Sequence, residues 1–323
     1  MDMSPDIQSV EAYLNSHQRL KRAALQDLLE VVLPTIKYIH NTNGIDFPCP
    51  EIRIVRAPSI QAECTSYVIQ IYEGLIELCL KSESALIDSV IPELSGENFD
   101  YSLVSKFSFS WVIAHEWLHH VKQHNAVAEQ LKYSFPRVGE ALEIDADLCA
   151  IAIIFRLTQR IYVGREKALL ARKVAMYCVY WPLRNIPLSR QDRDHPPMAL
   201  RLYHMLTKLG QLADLQEERI NPYEISEGQH ERNLMLFKVV ARCESLFDHE
   251  QAGYSLLEEW TDILHNGRHM DFYIDWEKIC PLVEELSGTT ADITKYKPKG
   301  YIDPVFDESN WMISGPGIEV PDT

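Results

Sequence analysis

Residues 111–124 read W-V-I-A-H-E-W-L-H-H-V-K-Q-H, and His115, Glu116 and His119 within them form the pattern H-E-x-x-H. The apolar neighbours predict a buried α-helix, on which positions four apart lie on one face about one turn apart. Two imidazoles placed in this way can share a tetrahedral metal ion, and Glu116 can reach a water molecule at that ion. This arrangement is typical of zinc peptidases.

A catalytic zinc site needs a third protein ligand and one position left open for water. The metzincin pattern is excluded, because Lys122 and Asn125 stand where that pattern has a glycine and a third histidine. The alternative is an acidic residue on a later helix, and the segment E-I-D-A-D supplies Glu143. Asp147 lies four residues further on the same helix face. It can accept a hydrogen bond from the far nitrogen of a ligand histidine.

Two other histidines of the stretch have different predicted roles. His120 points about 100° away from His119 around the helix, which favours a surface position or a place behind the ligands. His124 lies at the end of the predicted helix. We expect it to be structural and hydrogen-bonded near the helix end, rather than to bind metal.

The composition is ordinary for a soluble globular protein, with 46% hydrophobic and 24% charged residues. The net charge of −16 argues against nucleic acid or an anionic membrane surface as the main partner. The seven cysteines are scattered without a C-x-x-C pair, which indicates reduced core residues. The apolar runs are shorter than the roughly 20 residues that span a bilayer. The sequence therefore predicts a cytoplasmic protein without a membrane span.

The motifs resemble those of the gluzincin metallopeptidases of the HtpX-like family. The quoted stretch matches their H-E-x-x-H-x-x-x-x-H, and E-I-D-A-D-L-C-A at residues 143–150 matches E-x-x-A-D-x-x-A. D-H-P-P-M-A-L-R at residues 194–201 resembles their H-P-x-x-x-x-R element, which places His195 and Arg201 near the active site. Leu118 replaces a glycine common in the family, and the membrane helices of many members are absent. In general layout the chain also resembles Lit-type phage-exclusion peptidases.

Periodicity and this resemblance together predict an α+β protein that is predominantly helical. Helices are expected at residues 7–40, 75–81, 101–124, 140–160, 166–180, 198–212, 231–247, 255–265 and 275–286. Strands at residues 51–56 and 67–72 are expected to form a small antiparallel sheet next to the H-E-x-x-H helix. The expected regions are an N-terminal helical region (1–50), a zincin-like core (51–205), a helical C-terminal region (206–287) and an irregular tail (288–323).

The resemblance implies a zinc-dependent endopeptidase that cleaves an intracellular protein or peptide, in a setting such as stress response or phage defence. Glu116 would be the general base, and His195 would polarise the carbonyl or the developing oxyanion. Arg201 would pair with Asp147 or another acid of the site. The substrate would lie along the strand at residues 67–72, added as a further strand.

A second interpretation is a zinc-containing regulatory or sensor protein that cleaves nothing. His195 or His124 would then occupy the position that a catalytic site leaves open for water. The C-terminal helices would be the surface for a regulatory partner or effector.

Overall fold

A small sheet packs against a larger group of helices in the computed structural model, which describes residues 6–17, 19, 22–29, 48–65, 67–81, 86–161, 165–185, 195–212, 228–247 and 256–288. The strands are β1 (Ile7–Ser9), β2 (Glu51–Val55), β3 (Ala62–Thr65) and β4 (Val68–Tyr72). The helices are α1 (Val10–Asn15), α2 (Glu73–Leu80), α3 (Ile87–Val90), α4 (Ser102–Val121), α5 (His124–Leu131), α6 (Val138–Ile161), α7 (Arg165–Arg184), α8 (Met198–Gln211), α9 (Gln229–Leu246), α10 (Leu256–His265) and α11 (Asp271–Ser287). Residues 22–29 are also helical. The predicted class, α+β and predominantly helical, is confirmed.

The sheet is mixed, with the strand order β1-β2-β4-β3. Strands β2 and β4 are parallel, with Glu51 opposite Val68, so the predicted antiparallel pairing of these two strands is wrong. The connection between them contains β3, which was not predicted and which pairs antiparallel with β4. After β3 the chain reverses direction and forms β4. Strand β4 lies between β3 and β2 and runs parallel to β2.

Strand β4 is therefore central, and the edge of the sheet beside the H-E-x-x-H helix belongs to β3. The prediction that residues 67–72 form the edge strand is wrong for the same reason. The side chains of Ile54, Ile69 and Ile71 point from the sheet into the core, where all three are fully buried. Such β-branched residues pack well on the buried face of a pleated sheet.

Helix α4, which carries the H-E-x-x-H pattern, lies at the centre of the fold. It packs against α6 and α7 as well as α2 and β3. Apolar side chains are buried around its whole circumference, as is typical of an interior helix. The hydroxyl of Ser108 donates a hydrogen bond of 2.7 Å to the carbonyl oxygen of Cys178 in α7, which satisfies a buried polar group. The ligand-bearing helix is thus held by neighbours on several sides.

Two predicted segments fold differently from their sequence pattern. Residues 7–9 were predicted to be helical but form β1, because Ile7 pairs with Val55 of β2 and tertiary pairing overrides local propensity. No helix was expected between residues 125 and 139, but His124–Leu131 forms helix α5. The predicted helix at residues 30–40 and the tail at residues 289–323 lie outside the described residues.

The C-terminal helices share the core of the rest of the chain. One hydrophobic cluster includes members from Tyr13 to Val283. Glu244 of α9 is buried and accepts hydrogen bonds from Tyr180 at 2.6 Å and from Arg184 at 3.1 Å, both in α7. The indole nitrogen of Trp260 donates to the carbonyl oxygen of Ala199 in α8 at 2.6 Å. None of the helices in the described part of the chain has the length and apolar composition required to cross a bilayer.

His204 of α8 is buried in this helical layer, and its burial gives the first testable prediction. Its ring packs against Phe272 and Tyr273 of α11, with centroids 5.2 and 5.7 Å away, and neither ring nitrogen has a hydrogen-bond partner among the described residues. Desolvation lowers the pKa of His204 to about 3, from an ordinary value of 6.5. Between these two pKa values, His204 is protonated in the unfolded chain but neutral in the folded chain. The free energy of unfolding therefore falls as the pH drops below 6.5.

Between about pH 7 and about pH 5, the free energy of unfolding of the wild-type protein falls in part because of His204. We expect this fall to be about 2 kcal/mol smaller in His204→Phe, which has no group to titrate at this position. Urea unfolding of the metal-free protein at several pH values measures this. The exposed His265 of α10 provides the matched control His265→Phe. An unchanged pH dependence in His204→Phe would contradict the assignment.

Candidate metal centre

Three side chains converge between α4 and α6. The Nε2 atoms of His115 and His119 are 3.1 Å apart, and each lies 3.3 Å from a carboxylate oxygen of Glu143. Zinc bonds of about 2.1 Å in tetrahedral geometry separate neighbouring ligand atoms by about 3.4 Å. The separations in the triangle are close to that value, and these three residues could hold a metal ion.

Helical geometry explains why the three side chains meet. His115 and His119 are four residues apart on α4 and project from the same face. Helix α6 crosses α4 in close contact, and its Ala146 is fully buried and too small to hold the helices apart. Glu143, one turn before Asp147 on α6, is carried to the two histidines.

Asp147 and Arg201 stand behind His115. A carboxylate oxygen of Asp147 lies 3.0 Å from the Nδ1 atom of His115, the nitrogen that faces away from the triangle. Arg201 donates two hydrogen bonds to Asp147, of 2.6 Å from Nε and 2.8 Å from Nη2. The pairing of Arg201 with Asp147 that the sequence predicts is present. Both residues are buried, so the two charges lie in a medium where they interact strongly.

A second group of polar residues stands behind His119. The Nδ1 atom of His124 lies 3.1 Å from the Nδ1 atom of His119, and Nε2 of His124 lies 3.1 Å from Asp145. Lys122 lies 3.3 Å from Asp145. His124 reaches this place because Gln123 adopts a left-handed backbone conformation with φ of 55°, which ends α4 and starts α5. Desolvation lowers the pKa of His124 to about 4, which keeps its ring neutral.

His120 is buried as well, so the surface position that the sequence suggested as one possibility is wrong. Its Nε2 atom lies 2.8 Å from the carbonyl oxygen of Pro48, and its ring packs edge-on against Tyr67. The residue faces the chain before β2 and not the ligand triangle.

The electrostatics of the triangle favour a bound cation. Burial alone would lower the pKa of His115, but Asp147 and Glu143 outweigh it and raise that pKa to about 10. Burial would raise the pKa of Glu143, but the neighbouring His119 and His115 hold it well below its ordinary value. Without a metal ion Asp147 and Glu143 thus retain a proton on His115. A metal ion would replace this proton, since a histidine must be neutral to bind it.

Glu116 is half-buried and lines the cleft next to the triangle, but it contributes no atom to the triangle. Desolvation raises the pKa of its carboxyl group, against the opposing effect of His115 and His119. Its carboxylate is consequently a stronger base than one in water. Cys64 faces the same cleft from β3, and burial raises the pKa of its thiol to about 12, so the thiol stays protonated.

The cleft above the triangle has a volume of about 320 Å³. It is lined by β3 on one side and by the ends of α7 and α8 on the other, and apolar side chains such as Trp111 and Met198 contribute to this lining. His195 stands at the rim, with its side chain 45% exposed and its Nε2 atom 3.8 Å from Glu143.

The structure thus brings the predicted site residues together. His115, Glu116, His119, Glu143, His195 and Arg201 all line one cleft, and Asp147 lies directly behind it. Sequence reasoning missed β3, whose four residues A-E-C-T show no clear strand pattern. It also missed the hydrogen bond of 3.1 Å from the Asn125 side chain to the carbonyl oxygen of Cys64.

Sequence reasoning missed Asp145 and Lys122 too. The available signal was the second acid in E-I-D-A-D, and it was given no role. Comparison of the chain with protein-family models, curated proteins and solved structures found no match.

Proposed function

We propose that this protein is a zinc-dependent endopeptidase of the gluzincin type, resembling the HtpX-like family. The observation that carries the proposal is the triangle of His115, His119 and Glu143 at the bottom of an open cleft, with the Glu116 carboxylate beside it. Two imidazoles and one carboxylate are a ligand set typical of catalytic zinc in peptidases. Bound zinc would supply a Lewis acid that polarises a carbonyl and lowers the pKa of water toward neutrality.

Glu116 performs the proton transfers in this proposal. Its carboxylate accepts a proton from the attacking water and later delivers it to the nitrogen of the leaving amine. The raised pKa of Glu116 suits this double role, because a stronger carboxylate base takes the proton more readily. His195, whose Nε2 atom lies 3.8 Å from Glu143 at the rim, would donate a hydrogen bond to the oxygen on which negative charge develops.

Strand β3 is the edge to which a substrate peptide would add. The backbone nitrogen of Tyr72 donates to the carbonyl oxygen of Gln61, so these two residues form a hydrogen-bonded pair. With Ala62 opposite Ile71, the antiparallel pattern turns the backbone groups of Ala62 and Cys64 away from β4. The N–H and C=O groups of Ala62 and the N–H group of Cys64 face the outer edge, while the carbonyl oxygen of Cys64 accepts a hydrogen bond from the Asn125 side chain. A peptide can extend this edge by main-chain hydrogen bonds beside the metal site.

Metal analysis and a cleavage assay test the proposal. We expect the purified protein to contain about one zinc ion per chain, and His115→Ala to lose it. The control His265→Ala replaces an exposed histidine of α10, and this variant should retain the zinc ion. Cleavage of a mixed peptide library should stop on chelation and return when zinc is added. A wild-type protein that binds no transition metal would overturn the proposal.

The alternative remains a zinc-containing regulatory protein that cleaves nothing and whose C-terminal helices bind a partner. One observation favours it, the position of His195 within 3.8 Å of Glu143, from which it could close the site. His124 does not serve this purpose, because it faces the back of His119. A protein that binds zinc but cleaves no peptide in the library, with or without His195→Ala, would favour this alternative.

A further inference from the structure

A buried row of polar side chains, called here the polar chain, extends from His119 away from the triangle. It passes from His119 to His124 at 3.1 Å, from His124 to Asp145 at 3.1 Å, and from Asp145 to Lys122 at 3.3 Å. His124 is 1% exposed, and Asp145 and Lys122 are completely buried. Such charges are placed in the interior only where they are paired and hydrogen-bonded. The polar chain is therefore a specific interior network and not a chance contact at the surface.

Only one arrangement of protons lets this chain coexist with a bound metal ion. The Nε2 atom of His119 belongs to the triangle, so its lone pair must be free and its Nδ1 atom must carry the proton. That N–H faces Nδ1 of His124, which must then accept. The proton of neutral His124 consequently lies on Nε2, which faces the carboxylate of Asp145. The ring N–H groups of His119 and His124 thus each meet an acceptor.

The two ligand histidines have matching support from α6. His115 faces Asp147 directly, and Asp147 is paired with Arg201. His119 faces Asp145 through the intervening ring of His124, and Asp145 is paired with a buried cation as well. A carboxylate behind a ligand histidine fixes its tautomer and ring orientation and raises its basicity. For His119 this effect must pass through His124.

We propose that His124, supported by Asp145 and Lys122, is a positioning residue that holds His119 in its metal-binding tautomer and orientation. The inference rests on the metal site of the proposed function, and it does not depend on peptide hydrolysis. Its consequence is a metal affinity set in part by residues that do not touch the metal.

Metal affinity of His124 variants tests this inference. Zinc and cobalt(II) dissociation constants are measured by competition with a chromophoric chelator in the full-length protein. His124→Leu removes both contacts and should weaken binding about 10-fold to 100-fold. His124→Asn keeps an acceptor close to the position of Nδ1 and should restore a large part of that loss. The visible absorption of bound cobalt(II) should change in His124→Leu, because the ring of His119 is no longer held in one orientation.

His120→Asn is the matched control, since this buried histidine on the same helix faces Pro48 instead of a ligand. It should leave both the metal affinity and the cobalt spectrum unchanged. Thermal unfolding of the metal-free variants shows whether each is folded. Equal metal affinity in His124→Leu and wild type would overturn the inference alone, as would equal losses in His124→Leu and His120→Asn. A wild-type protein that binds no metal would overturn the proposed function and this inference with it.

Discussion

Replacement of Glu116 by glutamine is expected to lower kcat for peptide hydrolysis by about 100-fold to 10,000-fold, the range that general acid–base catalysis contributes. Glutamine has nearly the same shape but cannot accept a proton from water at neutral pH. Because no atom of Glu116 belongs to the triangle of His115, His119 and Glu143, the metal content should stay at the wild-type level. The combination of lost turnover and retained metal separates a proton-transfer role from a ligand role.

The control for this substitution is Glu140→Gln on α6. Glu140 is partly buried, lies one turn before Glu143 and faces Arg268 at 3.8 Å, outside the cleft. Its replacement should leave turnover of a peptide substrate unchanged. Steady-state kinetics with a fluorogenic peptide, combined with metal analysis of the same preparations, measures both quantities. Turnover in Glu116→Gln within about 10-fold of wild type would contradict the role of Glu116 as the general base.

The ligand set could be predicted because it depends on local geometry. Positions 115 and 119 share a helix face in any α-helix, and the same rule places Glu143 and Asp147 on one face of α6. These inferences require only that two helices pack together, which their apolar patterns indicate. The pairing of Arg201 with Asp147 or another acid of the site was instead expected from the resemblance of residues 194–201 to the H-P-x-x-x-x-R element.

Features that depend on distant parts of the chain could not be predicted in the same way. The parallel pairing of β2 with β4 is decided by β3, whose four residues carry no strong strand signal of their own. Helix α5 begins after Gln123, a residue type that rarely adopts the left-handed conformation it has here. The contact between Lys122 and Asp145 exists only because this turn and α6 meet in space.

Loss of the Arg201 guanidinium is expected to destabilise the fold by about 3 kcal/mol, the lower end of the range for a broken buried ion pair. The fully buried carboxylate of Asp147 loses both hydrogen bonds from Arg201 and keeps only the ring of His115 beside it. The two hydrogen bonds from Arg201, of 2.6 and 2.8 Å, use both carboxylate oxygens and are typical of a strong bidentate pair. Arg201→Met tests this, and urea unfolding of the metal-free protein measures the free energy of unfolding. Arg201→Lys should lose less, because it keeps the charge but not the planar fork.

The double substitution Arg201→Met with Asp147→Leu distinguishes stability from positioning. Replacing both buried charges by apolar groups is often nearly neutral for stability, so the double variant should recover much of the loss seen in Arg201→Met. Its metal affinity should stay about 10-fold to 100-fold weaker than that of wild type, because His115 has lost the carboxylate that orients its ring.

The pair of Arg184 and Glu244 serves as the reference for a buried ion pair away from the metal site. It joins α7 to α9, with a distance of 3.1 Å, and both residues are buried. Arg184→Met should therefore destabilise the fold to a similar degree while leaving zinc affinity unchanged. If Arg184→Met and the double variant weakened zinc binding equally, general loosening of the fold would explain both. If only the double variant did so, Asp147 would act on the metal site through His115.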